Sequence, residues 1–184
     1  MSNRHHNFFE DGAVCFWTSS IIEKIPVLRS PTAAKCLLEV IDDYRRRYNV
    51  RLLAYVIMPE HVHLLLWTEQ AEVVEKFLEQ VLRHASARIA AMAGRAEARG
   101  DRLASKWLAR FRARARGKAR VRVWKERGRA YPVKKEAELL QKMEYIHLNP
   151  VKEGYVERAE DWTYSSAAWY ASGAGPTTVD WFDV

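Results

Sequence analysis

Two histidines in one apolar segment are the first side chains whose types and spacing could do chemistry. His61 and His63 lie in the run His61-Val62-His63-Leu64. Alternate side chains of a strand point to the same face, so both imidazoles would project together, about 6.6–6.8 Å apart along the strand. Two imidazoles on one face can hold one divalent metal ion. The two residues alone also fit buried structural histidines, and that alternative stays open.

A tyrosine and an asparagine near the C-terminal end form the second candidate set. Tyr145 and Asn149 are four residues apart, so in a helix they lie one turn apart on the same face. A phenol can act as a nucleophile, and an amide oxygen can bind a metal ion beside it. The alternative is a half-exposed Tyr145 and an Asn149 that caps the helix. His147 falls near the apolar face of the helix, which favours a structural role.

Length and composition limit the classes of protein to which this chain can belong. It has 184 residues, 48% of them hydrophobic, which predicts one folded domain and excludes wholesale disorder. No run reaches the ~18 apolar residues that a membrane span needs, and the polar N-terminus does not resemble an export signal. Cys15 and Cys36 are therefore predicted to be free thiols, and the protein is predicted to be cytoplasmic, without a membrane partner.

The positive charge of the chain is concentrated in one segment. The net charge is +7, but Arg99 to Arg129 holds thirteen Lys or Arg and two acids, a net of +11, so the remainder carries −4. A basic segment on a slightly acidic body indicates a polyanionic partner such as nucleic acid. A solvated arm and a membrane or other acidic surface are the alternatives.

The elements that must position these residues follow from hydrophobic periodicity. The sequence predicts strands over 14–22, 50–58 and 61–67, the last two joined as a hairpin, and a second strand pair at 121–124 and 131–133, turning at 126–129. It predicts helices from Pro31, from Ala71 to a glycine at 94 or 100, and from 134 or 135 to Leu148, since Pro150 disfavours helix before it. This order predicts an α+β fold with a ferredoxin-like antiparallel sheet and helices packed mainly on one face. We expect a single domain over 1–184, with a basic helical or loop insertion at about 95–130 and a C-terminal tail at about 155–184.

Two motifs, taken together, resemble a known family. The first is Met58-Pro59-Glu60-His61-Val62-His63. The second is Tyr145-Ile146-His147-Leu148-Asn149-Pro150-Val151, followed by Asp161-Trp162 and Ser165-Ser166. In this order the motifs are similar to those of single-tyrosine HUH transposases, in the branch of REP-associated tyrosine transposases. The resemblance covers roughly Val14 to Tyr170.

The resemblance implies a role for each motif residue. His61, His63 and Asn149 match the ligands of a divalent metal, for which Mg²⁺ or Mn²⁺ suits a phosphate substrate. Tyr145 matches the nucleophile, which would form a 5′-phosphotyrosine and free a 3′-hydroxyl. The implied substrate is single-stranded DNA beside a hairpin, and a monomer is favoured over a homodimer.

The basic segment is longer and richer in arginine than this family leads us to expect. We expect it to follow the DNA backbone, with Trp107, Phe111 and Trp124 available for base stacking. The predicted DNA contacts are Lys106, Trp107, Arg110, Arg112, Arg114, Arg120, Arg122, Trp124 and Lys125.

Two other functions remain compatible with the sequence. The first is a non-catalytic DNA-binding protein that keeps the fold. The second is a metal-dependent hydrolase in which water attacks instead of Tyr145. A covalent protein–DNA adduct distinguishes the tyrosine enzyme from both.

Overall fold

The chain folds around a four-stranded antiparallel sheet. The structure, a computed structural model, describes residues 9–115, 117, 119–125 and 128–180. The strands are β1 (Val14–Ser20), β2 (Arg51–Met58), β3 (His61–Trp67) and β4 (Arg129–Val133). The helices are α1 (Pro31–Tyr48), α2 (Ala71–Ala98), α3 (Arg102–Ala113), α4 (Glu136–Lys152) and α5 (Ala167–Ser172), with short 3-10 turns at Ile22–Lys24, Val27–Arg29 and Ala159–Asp161.

The strand order is β2-β3-β1-β4, with every neighbouring pair antiparallel. β2 and β3 form the predicted hairpin, turning at Pro59 and Glu60. β1 lies between β3 and β4, which is the arrangement of a ferredoxin-like sheet. The predicted fold class is therefore confirmed.

The two faces of the sheet are covered by different helices. On the first face, α1 and α2 bury a large apolar cluster that includes Trp17, Tyr55 and Leu64. On the second face, α4 packs through Leu139 and Ile146 on a smaller cluster. The prediction that helices pack mainly on one face holds for α1 to α3, because Phe111 of α3 also enters the first cluster.

The predicted strand pair at 121–124 and 131–133 is wrong. Residues 131–133 belong to β4, which pairs with β1. Trp124 makes a single bridge to Ile21, so the segment continues along the same edge of β1 without forming a strand of its own. Val123 and Trp124 are buried in the first cluster, and an alternating apolar pattern cannot separate such a buried connection from a strand. The predicted turn at 126–129 falls partly on residues 126 and 127, outside the described residues.

The structure decides between the two predicted ends of α2 and corrects the predicted end of α4. α2 runs through Gly94 and ends at Ala98, just before Gly100, which has a positive φ. Gly94 lies inside the helix, where the nearest side chain across from it is Leu108 of α3. α4 continues through Pro150 to Lys152, because its last carbonyls are bonded by the amides of Glu153 to Tyr155. Asn149 therefore lies inside the helix and does not cap it.

The C-terminal segment covers the free edge of β2. The amide of Ile57 donates to the carbonyl of Tyr164, and the amide of Ser166 donates to that of Tyr55. The Trp162 indole donates to the carbonyl of Ile57 at 3.0 Å. The Ser166 hydroxyl lies 2.8 Å from Nε2 of His147 on α4. These contacts join α4 to β2 and so fix the helix that carries Tyr145.

Cys15 and Cys36 are both buried free thiols, as predicted. Burial raises the pKa of the Cys15 thiol to about 12, which makes it a poor nucleophile at neutral pH. None of the helices in the described part of the chain is both long and apolar enough to cross a bilayer.

Candidate catalytic centre

The two histidines share the second face of the sheet, as their spacing predicts. His61 and His63 lie on β3 with their ring centroids 4.8 Å apart. Val62 and Leu64, between and beyond them, enter the opposite cluster under α1 and α2. The alternation of β3 therefore gives one apolar face and one face that carries two imidazoles.

Helix α4 brings the tyrosine and the asparagine to the same place. The Tyr145 ring lies edge-on to His63, with 5.2 Å between the ring centroids. One turn further, the Oδ1 atom of Asn149 lies 3.2 Å from Nε2 of His61. Tyr145 is 39% exposed, whereas Asn149 is only 6% exposed, so a solvent-accessible phenol lies above a buried polar set. Four residues from two distant segments meet within one chain.

His63 is a buried imidazole whose ring nitrogens make no hydrogen bond within the described part of the chain. Both of its ring nitrogens are inaccessible, and neither has a hydrogen-bond partner among the described residues. Burial, with smaller contributions from His61 and Lys24, lowers the pKa of His63 to about 3, so its ring is neutral at neutral pH. Leaving such a group unsatisfied costs about 1–3 kcal/mol. A structural histidine would be expected to have a partner, so this arrangement favours a ligand-binding role.

His61 is oriented by the glutamate that precedes it. Its Nδ1 lies 3.0 Å from Oε1 of Glu60, and a hydrogen donated there leaves a lone pair on Nε2. That lone pair faces the amide oxygen of Asn149, which is also an acceptor. A carboxylate behind a metal-binding imidazole is a common arrangement, because it fixes the tautomer and the ring orientation.

These donors fit a divalent cation. Two imidazoles and an amide oxygen lie together, and the 3.2 Å between Nε2 of His61 and Oδ1 of Asn149 is close to the separation of about 3 Å expected for adjacent ligands of a small octahedral cation. Elsewhere in the described part of the chain, no cluster of three His, Cys, Asp or Glu offers another metal site.

The structure adds residues that the sequence reasoning missed. Phe16 of β1 stacks on His63, with 5.6 Å between centroids, and lies 6.0 Å from the Tyr145 ring. Nζ of Lys142 lies 5.0 Å from the Phe16 ring centroid, and that of Lys152 lies 5.5 Å from the Tyr145 ring centroid. The two lysines share the helix face of Tyr145 and Asn149, so helical spacing could have revealed them. Phe16 depends on strand register, which no local pattern gave.

The predicted basic DNA contacts lie on and after α3. Lys106, Arg110, Arg112, Arg114, Arg120 and Lys125 are exposed, and Arg122 is half-buried. Several of them already have acidic partners: Arg110 and Arg114 pair with Glu23, and Arg112 pairs with Glu97. Arg122 donates to the carbonyl of Trp124 at 3.1 Å, which gives it a structural role in this connection.

Two of the predicted stacking residues are not available for stacking. Phe111 is fully buried and Trp124 is 5% exposed, both in the first cluster, so that expectation is wrong. Trp107 is half-buried and packs against the same cluster. Apolar anchoring of α3 explains Trp107 and Phe111, because a short basic helix needs buried side chains to stay folded.

A comparison with family models agrees with the resemblance found in the motifs. The model described as "Transposase IS200 like" matches residues 19–126 of the chain. The match includes both histidines and ends before the tyrosine helix begins.

Individual relatives extend the similarity over the rest of the chain. A curated protein of Haemophilus influenzae, named as a REP-associated tyrosine transposase, is 26% identical over 173 residues, which cover 90% of this chain and 85% of the relative. A solved structure of a REP-associated tyrosine transposase bound to a REP hairpin superposes with a TM-score of 0.60 at 18% identity, over 100% of this chain and 93% of the other. The resemblance to this branch is thereby confirmed.

Proposed function

The chain belongs to the IS200-like transposase family, and we propose that it nicks and joins single-stranded DNA with Tyr145 as the nucleophile. The observation that carries this proposal is the meeting of Tyr145, His61, His63 and Asn149 around one point. Because all four come from one chain, the site is complete without a second subunit, which supports a monomer.

In this proposal, Tyr145 attacks a phosphate held over the histidine pair. Its oxygen would form a bond to phosphorus while the bond to the 3′-oxygen breaks, giving a 5′-phosphotyrosine and a 3′-hydroxyl. The phenol proton can pass to water, because Tyr145 is 39% exposed. One phosphodiester replaces another, so the step is nearly isoenergetic, and a second 3′-hydroxyl can reverse it on another strand.

Mg²⁺ or Mn²⁺ bound by His61, His63 and Asn149 would polarise the scissile phosphate and stabilise the charge that develops on it. Glu60 supports this set by orienting His61. Lys142 and Lys152 add positive charge on either side of Tyr145, which favours the approach of a polyanion.

Single-stranded DNA beside a hairpin is the substrate we propose. A relative of the same fold has been solved bound to a REP hairpin. Because Tyr145 is 39% exposed, an unstacked strand can reach its ring. The exposed arginines of α3 are suited to the duplex part of such a substrate.

The decisive experiment is detection of the covalent intermediate. The protein is incubated with labelled single-stranded DNA from its own flanking genome and Mn²⁺, and the mixture is separated under denaturing conditions. We expect a protein–DNA adduct that Tyr145→Phe abolishes, with DNA binding nearly unchanged. Tyr155→Phe is the matched control, because Tyr155 is 38% exposed and loses the same hydroxyl.

Other results would favour the remaining functions. Cleavage without an adduct would indicate attack by water, and binding without cleavage would indicate a DNA-binding protein that keeps the fold. Adduct formation that persists in EDTA would contradict the metal assignment.

A further inference from the structure

A polar cavity of about 240 Å³ lies at the end of β1, on the edge where β4 begins. Its lining residues are Thr18, Ser19, Ser20, Lys125, Gly128 and Arg129. None of the described residues that line this cavity is acidic. Hydroxyls, an ammonium and a guanidinium are all hydrogen-bond donors, so the cavity is suited to an anion.

The strand register places this cavity next to the candidate catalytic centre. Ser20 lies opposite His61 and Thr18 opposite His63, and Arg129 of β4 lies opposite Thr18 on the other side. Directly opposed residues of an antiparallel pair project from the same face. Arg129, Thr18 and His63 therefore form a row across three strands, in which Arg129 is two strand spacings, about 10 Å, from His63 at the backbone.

Two features fix the backbone beside Arg129 and at Lys125. Gly128 has a φ of 92°, and a Cβ built there would lie 2.3 Å from Nε1 of Trp17, so only glycine lets the chain cross the indole this closely before Arg129. On the other side, the amide of Lys125 donates to the carbonyl of Ser20 at 2.8 Å. Both side chains are exposed, so they are accessible to a ligand.

An aromatic ring lies two residues beyond Arg129 on β4, on the same face of the sheet. Tyr131 lies opposite Phe16, which contacts both His63 and Tyr145. Tyr131 is 45% exposed, although Phe16 opposite it and Val133 next to it on that face are buried. An exposed ring at the edge of a phosphate-binding row is suited to stacking against an unpaired base.

We propose that this cavity binds a DNA phosphate next to the scissile one, through Arg129 and Lys125, and that Tyr131 stacks on the adjoining base. The inference rests on the proposed function for the identity of the ligand as single-stranded DNA. The proposal implies that the single-stranded DNA crosses the sheet from Tyr145 toward the β4 edge.

Binding to a fluorescein-labelled oligothymidylate of about 20 nucleotides, titrated over a range of salt concentrations without added metal, tests this assignment. We expect Arg129→Ala to reduce the salt slope by about 0.7, and Arg129→Ala with Lys125→Ala by about 1.4. Tyr131→Ala should weaken binding by at least about fivefold, whereas Tyr131→Phe should bind like the natural protein, because the ring remains. Arg83→Ala is the control: it removes an exposed arginine from α2, on the other side of the sheet, and should change nothing.

The position of the contact is tested with hairpin-bearing DNA from the flanking genome in which single phosphates are replaced by neutral methylphosphonates. One replacement next to the cleaved position should weaken binding of the natural protein and have no further effect on Arg129→Ala. Unchanged salt slopes in both cationic variants overturn the cavity as a phosphate site, even if the adduct forms. Reduced slopes together with the absence of any adduct support the cavity and count against the proposed chemistry.

Discussion

The two faces of β3 are almost equally buried and chemically opposite. Leu64 is 0% exposed and His63 is 5% exposed, on successive residues of one strand. Leu64 packs into the large hydrophobic cluster under α1 and α2. His63 lies under α4, and among the described residues neither of its ring nitrogens has a hydrogen-bond partner. Burial of Leu64 on the first face stabilises the fold, whereas burial of His63 on the second costs stability and keeps its imidazole neutral.

Replacing Leu64 or His63 by alanine should separate effects on stability from effects on activity most clearly. Leu64→Ala should lower the free energy of unfolding by about 2–5 kcal/mol, because it leaves a cavity in the larger core. His63→Ala should change it by less than about 1 kcal/mol, because the loss of packing is offset by removal of an unsatisfied polar group. Urea denaturation measures both.

In the adduct assay the two variants should rank in the opposite order, with the larger loss for His63→Ala. His63→Ala should form no Mn²⁺-dependent adduct, while folded Leu64→Ala at low temperature should still form it. A strongly destabilised but active His63→Ala would show that this histidine serves the core, and the contrast between the faces would fail.

Alanine at Gly128, compared with alanine at Gly154, tests how closely the chain packs on the buried Trp17 indole. Gly128→Ala should lower stability by on the order of 2–3 kcal/mol, because the new methyl group would overlap the buried Trp17 indole and the φ is positive. Gly154→Ala has a similar positive φ of 72° but nothing within 4 Å, so only the backbone cost of about 1 kcal/mol remains. Thermal unfolding of both variants measures the difference, and equal losses would mean that the Trp17 contact is unimportant.

The arginines on and just after α3 test whether this charged surface binds DNA. Replacing Arg110, Arg112 and Arg114 by alanine should weaken binding of hairpin-bearing DNA roughly tenfold and reduce its salt slope by up to about 2. The reduction should be smaller than three free cations would give, because Glu23 and Glu97 already pair with these residues. An unchanged slope would leave the segment as a solvated surface.

The last expected effect concerns His147 on α4, whose Nε2 lies within hydrogen-bond distance of the Ser166 hydroxyl. Burial lowers the pKa of His147 to about 4, below its usual value near 6.5, so the folded protein keeps this ring neutral. The stability it contributes is complete above pH 6.5 and is lost as the pH falls toward 4, because the unfolded chain then binds the extra proton.

His147→Gln removes that titration and should keep a hydrogen bond to Ser166. Between pH 7 and pH 4, the natural protein should lose on the order of 1–2 kcal/mol more stability than His147→Gln. Urea denaturation at several pH values gives the difference, and parallel curves would contradict a neutral His147 in the fold.

Local patterns predicted the parts of the fold in which one periodicity dominates. The β2–β3 hairpin and the bounds of β3 agree with the prediction, because alternating apolar residues flank a Pro-containing turn. The predictions failed at 121–124 and at Pro150. There, contacts with Ile21 and capping by the amides after the helix outweighed the local preference.

The sequence by itself determined the residue types of the candidate site, because the spacing of His61 and His63 on a strand and of Tyr145 and Asn149 on a helix fixes which side chains project together. Only the tertiary structure decided that these two pairs meet, since the distance between His61 and Asn149 depends on how α4 packs against the second face. It also decided that Arg129 lies on the same face as His63, two strands away, through the register of β4 on β1 and of β1 on β3, which no local pattern encodes.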